Sequence, residues 1–220
     1  DGAMTLVARK DFPVKNLKDL ITYVKANKDK VNLANAGVGS ASHLAGLLFM
    51  TAIETNLTTI PYKGTGPAMN DLLGGQVDFM IDQTTNTTSH IKAGKVQVYA
   101  VTTPQRLPSL PEVPTMDEAG LPNYRMTVWH ALYAPKATPK PIIDKLSKAL
   151  QEALKDPNLK QRYAELGAEA VAQDRATPEA LRGHLKAEIE KWGPIIKKAG
   201  VEAVGLITEP KPVKPPPQKK

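Results

Sequence analysis

Residues 37–43, Gly37-Val38-Gly39-Ser40-Ala41-Ser42-His43, follow a buried-type strand pattern and open a helical one, which is the arrangement that holds anions. Glycines let the backbone turn tightly, the first amides of a helix point outward unpaired, and the helix dipole favours negative charge. The loop therefore suits a carboxylate or a phosphate, with Ser40 and Ser42 adding hydroxyl donors. A purely structural role stays open on these residues alone, since either serine can be an N-cap and the glycines can serve only a turn. His43 leads into the small and apolar run 44–50, so it fits better as a residue that orients the loop than as a base. A dinucleotide fold would require a third glycine and an acidic residue about twenty positions further on, and neither is in place.

A second loop, Tyr62-Lys63-Gly64-Thr65-Gly66-Pro67, repeats the same logic after the next strand pattern, with Pro67 suited to a first helical turn. Lys63 is either a countercharge or a solvated loop lysine. Asp82 and Gln83 end a third strand pattern and are followed by the polar run 84–88. Asp82 could accept from a ligand hydroxyl or ammonium group, from a protonated acid, or only brace the neighbouring loop. Trp129, His130 and Tyr133 could wall a cleft or simply pack. The chain has no Gly-x-Ser-x-Gly elbow, no lysine-bearing phosphate loop and no His-Glu-x-x-His pair. His43, His90, His130 and His184 show no metal-ligand spacing. Adjacent Ser42 and His43 do not make a nucleophile and base, because consecutive helical side chains diverge.

The elements that must position these loops follow from periodicity. Strand patterns at 4–8, 31–36, 58–62, 77–81 and 96–101 alternate with helical patterns at 17–27, 42–55, 66–73 and 87–93, predicting an α/β fold with a mainly parallel sheet covered on both faces. In such a sheet the two anion-suited loops lie at the carboxyl ends of neighbouring strands. The proline-rich stretch 104–122 reads as a connector with one short helix, 116–119, capped by Thr115. A β-rich run, 127–134, then gives way to helices only, at 141–155, 157–166 and 178–199, and this change marks a domain boundary. The tail 210–220 has five prolines and no apolar period, so it is expected to be extended or disordered.

Composition removes several functions. With 220 residues and 41% hydrophobic content the chain can bury a real core, in one large domain or two lobes. The absence of cysteine excludes disulfides, thiolate metal sites and cysteine nucleophiles. No stretch approaches the roughly 20 apolar residues of a membrane-spanning helix, and the opening Asp1-Gly2-Ala3-Met4 is not a signal peptide. The net charge is +7, but the tail from Thr208 supplies +3 of it, and the rest is spread over helices where Lys and Glu alternate. A basic stripe with interleaved aromatics, the footprint of nucleic-acid binding, is missing. The positive balance still helps draw in small anions.

Several separated segments together resemble one family. These are Gly-x-Gly-Ser-x-Ser-His-Leu at 37–44, Pro61-Tyr62-Lys63-Gly64, Asp71-Leu72-Leu73-Gly74-Gly75-Gln76-Val77, His90-Ile91-Lys92-Ala93-Gly94-Lys95, Ala100-Val101-Thr102, Pro111 to Pro114 with Glu118-Ala119-Gly120, and Ala134-Pro135 leading to Pro139. In this order and spacing they are similar to the extracytoplasmic solute receptors of tripartite tricarboxylate transporters, the Bug or TctC family. The resemblance covers Met4 to Gly200 and leaves out the proline-lysine tail.

The resemblance implies a two-lobed, periplasmic-binding-protein-like architecture that closes on a small mono-, di- or tricarboxylate and delivers it to membrane components of the transporter. It implies no covalent chemistry and a periplasmic location, while no cofactor, metal or nucleic-acid partner is expected from the residues themselves. The ligand-binding residues it carries over are those of the loop Gly37, Gly39, Ser40, Ala41 and Ser42, with Asp82 at a matching strand end; His43, Tyr62, Gly64 and Thr65 join the expected site from the reading of the two loops. The rival expectation is a small α/β enzyme acting on an anionic substrate at the same strand-end cleft. Family members begin with a secretion signal and a glycine-rich first-lobe segment, whereas this chain opens on what reads as a late first-lobe strand. The expected division is therefore 1–12 as a residual first-lobe strand, 13–126 as the ligand-binding second lobe, 127–206 as crossover and first-lobe helices, and 207–220 as the tail. An incomplete first lobe further suggests a dimer that covers the exposed face.

Overall fold

Residues 2–9 are apolar on both sides of their alternation, Ala3, Met4, Leu6, Val7 and Ala8 all being buried, which is the signature of a strand covered on both faces. The computed structural model describes residues 1–198, and it places this strand, β1 (Gly2–Arg9), inside a six-stranded sheet. The remaining strands are β2 (Asn32–Asn35), β3 (Thr58–Pro61), β4 (Phe79–Gln83), β5 (Val96–Val101) and β6 (Thr127–Val128). Their order is β3-β2-β4-β1-β5, with β6 paired to the start of β1. β2 runs parallel to both β3 and β4, while β1 runs against β4 and β5. The sheet is thus mixed and not mainly parallel as expected: the two pairings of β2 are parallel, and the three pairings made by the long reversed strand β1 are antiparallel.

That placement corrects the expected division of the chain. Residues 1–12 are not set apart as a strand of another lobe: Leu6 faces Ile81 and Ala100 in the ladders that join β1 to β4 and β5. A one-residue alternation decides which face each side chain joins. Met4, Leu6, Leu33, Phe79 and Ile81 pack under α1 (Leu17–Ala26) and α2 (Ala41–Ala52), whereas Val7, Ala34 and Met80 pack under α3 (Thr65–Leu73). Ile91 of α4 (Thr84–Lys92) joins this second face. Gly46 lets α2 sit tightly on β2, since a Cβ there would lie 2.8 Å from Leu33 Cδ2. Phe49 meets Phe79 and Tyr124 edge to face, and the Tyr124 hydroxyl donates to the Ala45 carbonyl at 2.7 Å.

Two expected elements are shorter than their sequence patterns. Residues 116–120 form a turn, held by a reciprocal cap in which Glu118 N–H donates to Thr115 Oγ1 and Thr115 N–H donates to Glu118 Oε2. Only two residues of 127–134 are in a strand, because β6 loses its pairing partner where β1 begins. The helices α5 (Lys140–Ala153) and α6 (Pro157–Glu165) contain no fully buried residue. The last, α7 (Pro178–Lys198), docks Trp192, Ile195 and Ile196 onto the same core as α1 and α2, so part of 127–206 packs with residues 13–126. No helix among the described residues is long and apolar enough to cross a membrane. The stretch 207–220, expected to be extended, lies outside the described residues.

Candidate ligand site

The helices that follow β2 and β3 pack on opposite faces of the sheet, and this leaves a crevice at the carboxyl ends of two adjacent strands. Both expected loops line it. Tyr62 N–H donates to the Asn35 carbonyl at 2.9 Å and Gly64 N–H to the Ala36 carbonyl at 3.1 Å, so the 62–65 loop passes over the end of β2. Gly37 has φ +122°, and a Cβ there would stand 3.0 Å from the Tyr62 carbonyl oxygen. Glycine is required at 37 for both reasons. Among the described residues, the amides of Ala41 and Ser42 at the start of α2, and of Thr65 and Gly66 at the start of α3, meet no protein acceptor. Helix geometry leaves these first donors free, and here two sets of them stand side by side.

The side chains at this edge divide into those that face the crevice and those already engaged. Ser40 caps α2 by accepting from His43 N–H at 3.1 Å, which leaves its own hydroxyl proton free to donate. Ser42 is 4% exposed and donates to the Ile81 carbonyl at 2.6 Å, so the expected ligand role of its hydroxyl is corrected to a tie between α2 and β4. His43 Nδ1 accepts from Gly39 N–H at 3.1 Å, and burial holds the imidazole pKa below its ordinary value. The ring is therefore neutral, with its proton on Nε2, and orients the loop as expected. Tyr62 donates to Asp71 Oδ2 at 2.7 Å; burial and this carboxylate push its phenol up to about 12, and its hydroxyl is committed away from the crevice. Lys63 is exposed.

Asp82 is 1% exposed and gathers donors from two helix starts. Its Oδ2 accepts from Thr65 Oγ1 at 2.9 Å, while Oδ1 accepts from Gln83 N–H at 2.6 Å and from Asn86 Nδ2 at 2.9 Å. Burial pushes its pKa up, and the bonds from Asn86, Gln83 and Thr65 pull it back. Two residues of this edge have no role in the sequence reading. Asn35, 2% exposed, accepts from Gly37 N–H at 3.0 Å and shapes the loop, an Asx turn signalled only by an Asn two residues before a Gly. Asn86 was visible only as part of a polar run.

A cavity of about 410 Å³ lies beside the first turn of α2, between Ala41, Leu44, Val128, Trp129, Ile189 and Trp192. Among the described residues its one charged lining group is Glu188, which accepts from the Trp192 indole at 2.9 Å. Trp129 lines it, whereas Tyr133 is 66% exposed. No group of three or more His, Cys, Asp or Glu among the described residues could hold a metal ion.

A sequence model of the tripartite tricarboxylate transporter family receptor matches residues 1–201. The chain belongs to this receptor family. A UPF0065 protein of Agrobacterium vitis is 52% identical over 197 residues, covering 90% of this chain and 57% of that relative. Among solved structures, the periplasmic binding protein BugD is 55% identical with a TM-score of 0.86, over 91% of this chain and 67% of that one. MatC from Rhodopseudomonas palustris with bound malate is 37% identical with a TM-score of 0.84, over 89% and 66%. The chain thus spans somewhat over half the length of its curated relative and about two thirds of these receptor structures. Their fold is that of periplasmic binding proteins.

Proposed function

We propose that this chain captures a small mono-, di- or tricarboxylate in the periplasm and delivers it to the membrane components of a tripartite tricarboxylate transporter, without covalent chemistry. The observation that carries this reading is the pair of helix starts at one crevice, where the amides of Ala41, Ser42, Thr65 and Gly66 have no protein acceptor. Two such donor sets match the two oxygens of a carboxylate, and the helix dipoles add to them. The Ser40 hydroxyl proton is a further donor. The malate held by MatC and the periplasmic description of BugD support extending the family's task to this receptor. The geometry also speaks against the enzyme reading. Ser42 donates to a backbone carbonyl and His43 Nδ1 is occupied by Gly39, so no nucleophile and base are aligned.

Amides recognise the carboxylate end alone, so ligand choice falls to whatever meets the rest of the molecule. Calorimetry and thermal shift with the full chain, over malate, citrate and benzoate, test the reading. Saturable binding should raise the melting temperature, by the equivalent of about 2.7 kcal/mol at a hundredfold excess over Kd, and mass spectrometry should recover the acid unchanged. Recovery of an altered acid would favour the enzyme, and no stabilisation by any member would defeat carboxylate capture.

A further inference from the structure

We infer that Thr65 is a ligand donor controlled by Asp82: carboxylate binding takes up one proton at Asp82, whose acid then donates to Thr65 Oγ1 and frees the Thr65 hydroxyl to donate to the ligand. This rests on the carboxylate reading above and adds a specificity-determining pair to it.

Thr65 is the first residue of α3, partly exposed beside the free amides of that helix, yet its one hydroxyl proton is spent on Asp82 Oδ2 at 2.9 Å. An ionised carboxylate only accepts, and a hydroxyl has one proton and two lone pairs. With Asp82 ionised, Thr65 therefore offers an incoming carboxylate lone pairs alone, and a buried negative charge stands directly behind it. Both features oppose the anion that the neighbouring amides attract.

Protonation resolves both at once, and the geometry dictates where the proton goes. Oδ1 already faces two donors, Gln83 N–H and Asn86 Nδ2, so it must stay an acceptor. Among the described residues Oδ2 faces only Thr65 Oγ1, a hydroxyl able to reverse its role. The added proton comes from solvent and sits on Oδ2; the 2.9 Å contact persists with donor and acceptor exchanged. Thr65 Oγ1 then accepts from Asp82, and from Asn86 Nδ2 at 3.4 Å, while its own proton turns outward.

Among the described residues, the groups that hydrogen-bond around Asp82 are uncharged. Thr5 of β1 donates to its backbone carbonyl at 3.4 Å and pairs with Thr87 of α4, and Ser42 of α2 is tied to the Ile81 carbonyl. Of the titratable groups at this end, His43 faces Gly39, Tyr62 faces Asp71 and Lys63 is exposed to solvent. Burial pushes the Asp82 carboxyl up, in the sense the exchange needs, against the pull of its three donors.

Malate titrated into the full chain by calorimetry, in two buffers of different ionisation enthalpy and over a pH range where malate stays ionised, measures the proton uptake. The wild type should take up as much as one proton per ligand, and its affinity should fall by up to about tenfold per pH unit above the Asp82 pKa. Asp82→Asn places an amide that donates to Thr65 Oγ1 while its oxygen still accepts from Gln83 and Asn86. This variant should bind with no proton uptake and a flat pH profile. Malate binding by the wild type without proton uptake overturns the inference alone, as does proton uptake that survives in Asp82→Asn. Failure of every acid in the panel to bind overturns carboxylate capture and this inference with it. Should Asp82→Asn not fold, carbon-detected NMR of the wild type and Thr65→Val decides instead. The Asp82 carboxyl should titrate above the ordinary aspartate range and rise further in Thr65→Val; an ordinary titration, or one that ignores Thr65, overturns the exchange.

Discussion

Ser42 and His43 stand next to each other in sequence and both belong to the anion-suited loop, yet the structure gives them separate structural tasks. Removing the Ser42 hydroxyl leaves the Ile81 carbonyl buried without its donor, so Ser42→Ala should cost about 1–3 kcal/mol in urea unfolding. His43 makes stability depend on acid. Its folded pKa is lowered by burial, so its contribution is fully present above the ordinary histidine value of about 6.5 and is lost as pH falls toward the lowered folded pKa. His43→Gln, which removes the titrating ring, should flatten that acid limb in a series of urea midpoints. Asp82 acts with the opposite sign. Its folded pKa is raised, so its contribution is present below about 3.9 and is lost as pH rises through the folded value. Asp82→Asn should therefore be more stable than wild type at neutral pH, with a gain that shrinks toward pH 4. The loop-orienting role of His43 was legible because its partner Gly39 is four positions away, whereas the tie made by Ser42 was not, because it meets a strand 39 positions away.

At the scale of elements the sequence was far more legible. Every strand and helix from β1 to β5 lies within a few residues of its periodic pattern, since each is apolar on the side or sides it buries. Direction was not legible. A strand buried on both faces has the same pattern whichever way it runs, so nothing in residues 2–9 announces that β1 is reversed between β4 and β5. The two loops were legible as anion-suited turns because glycine marks them, but the glycines differ in what they do. Gly37 combines φ +122° with a carbonyl 3.0 Å from its missing Cβ, while Gly39 has φ +79° and open space around it. Gly37→Ala should cost about 1–3 kcal/mol through strain and push the two loops apart, abolishing carboxylate binding. Gly39→Ala should cost about 1–2 kcal/mol from its left-handed backbone alone and keep most of the affinity. Paired unfolding and binding measurements on the two variants separate the close approach from the turn.

The whole molecule joins a well-covered sheet to a helical segment that is only partly covered. Trp192, 8% exposed, anchors α7 to the core that also holds Leu6, Leu33 and Phe79, so the sheet and α7 should unfold together. The segment between them is different. Ile142 and Leu146 lie one turn apart on α5 at 50% and 52% exposure, and Leu132, Tyr133 and Ile189 are still more exposed. Apolar side chains one turn apart on an exposed helix are a surface that other protein can cover. We propose a second copy as the cover to be tested. Sedimentation velocity over a hundredfold range of concentration should then show the mass rising from one chain toward two. The double variant Ile142→Glu and Leu146→Glu should hold the chain monomeric without loss of melting temperature, since both side chains are half exposed in the single chain. A mass that stays at one chain throughout would remove the dimer, and a double variant that still pairs would move the contact away from α5.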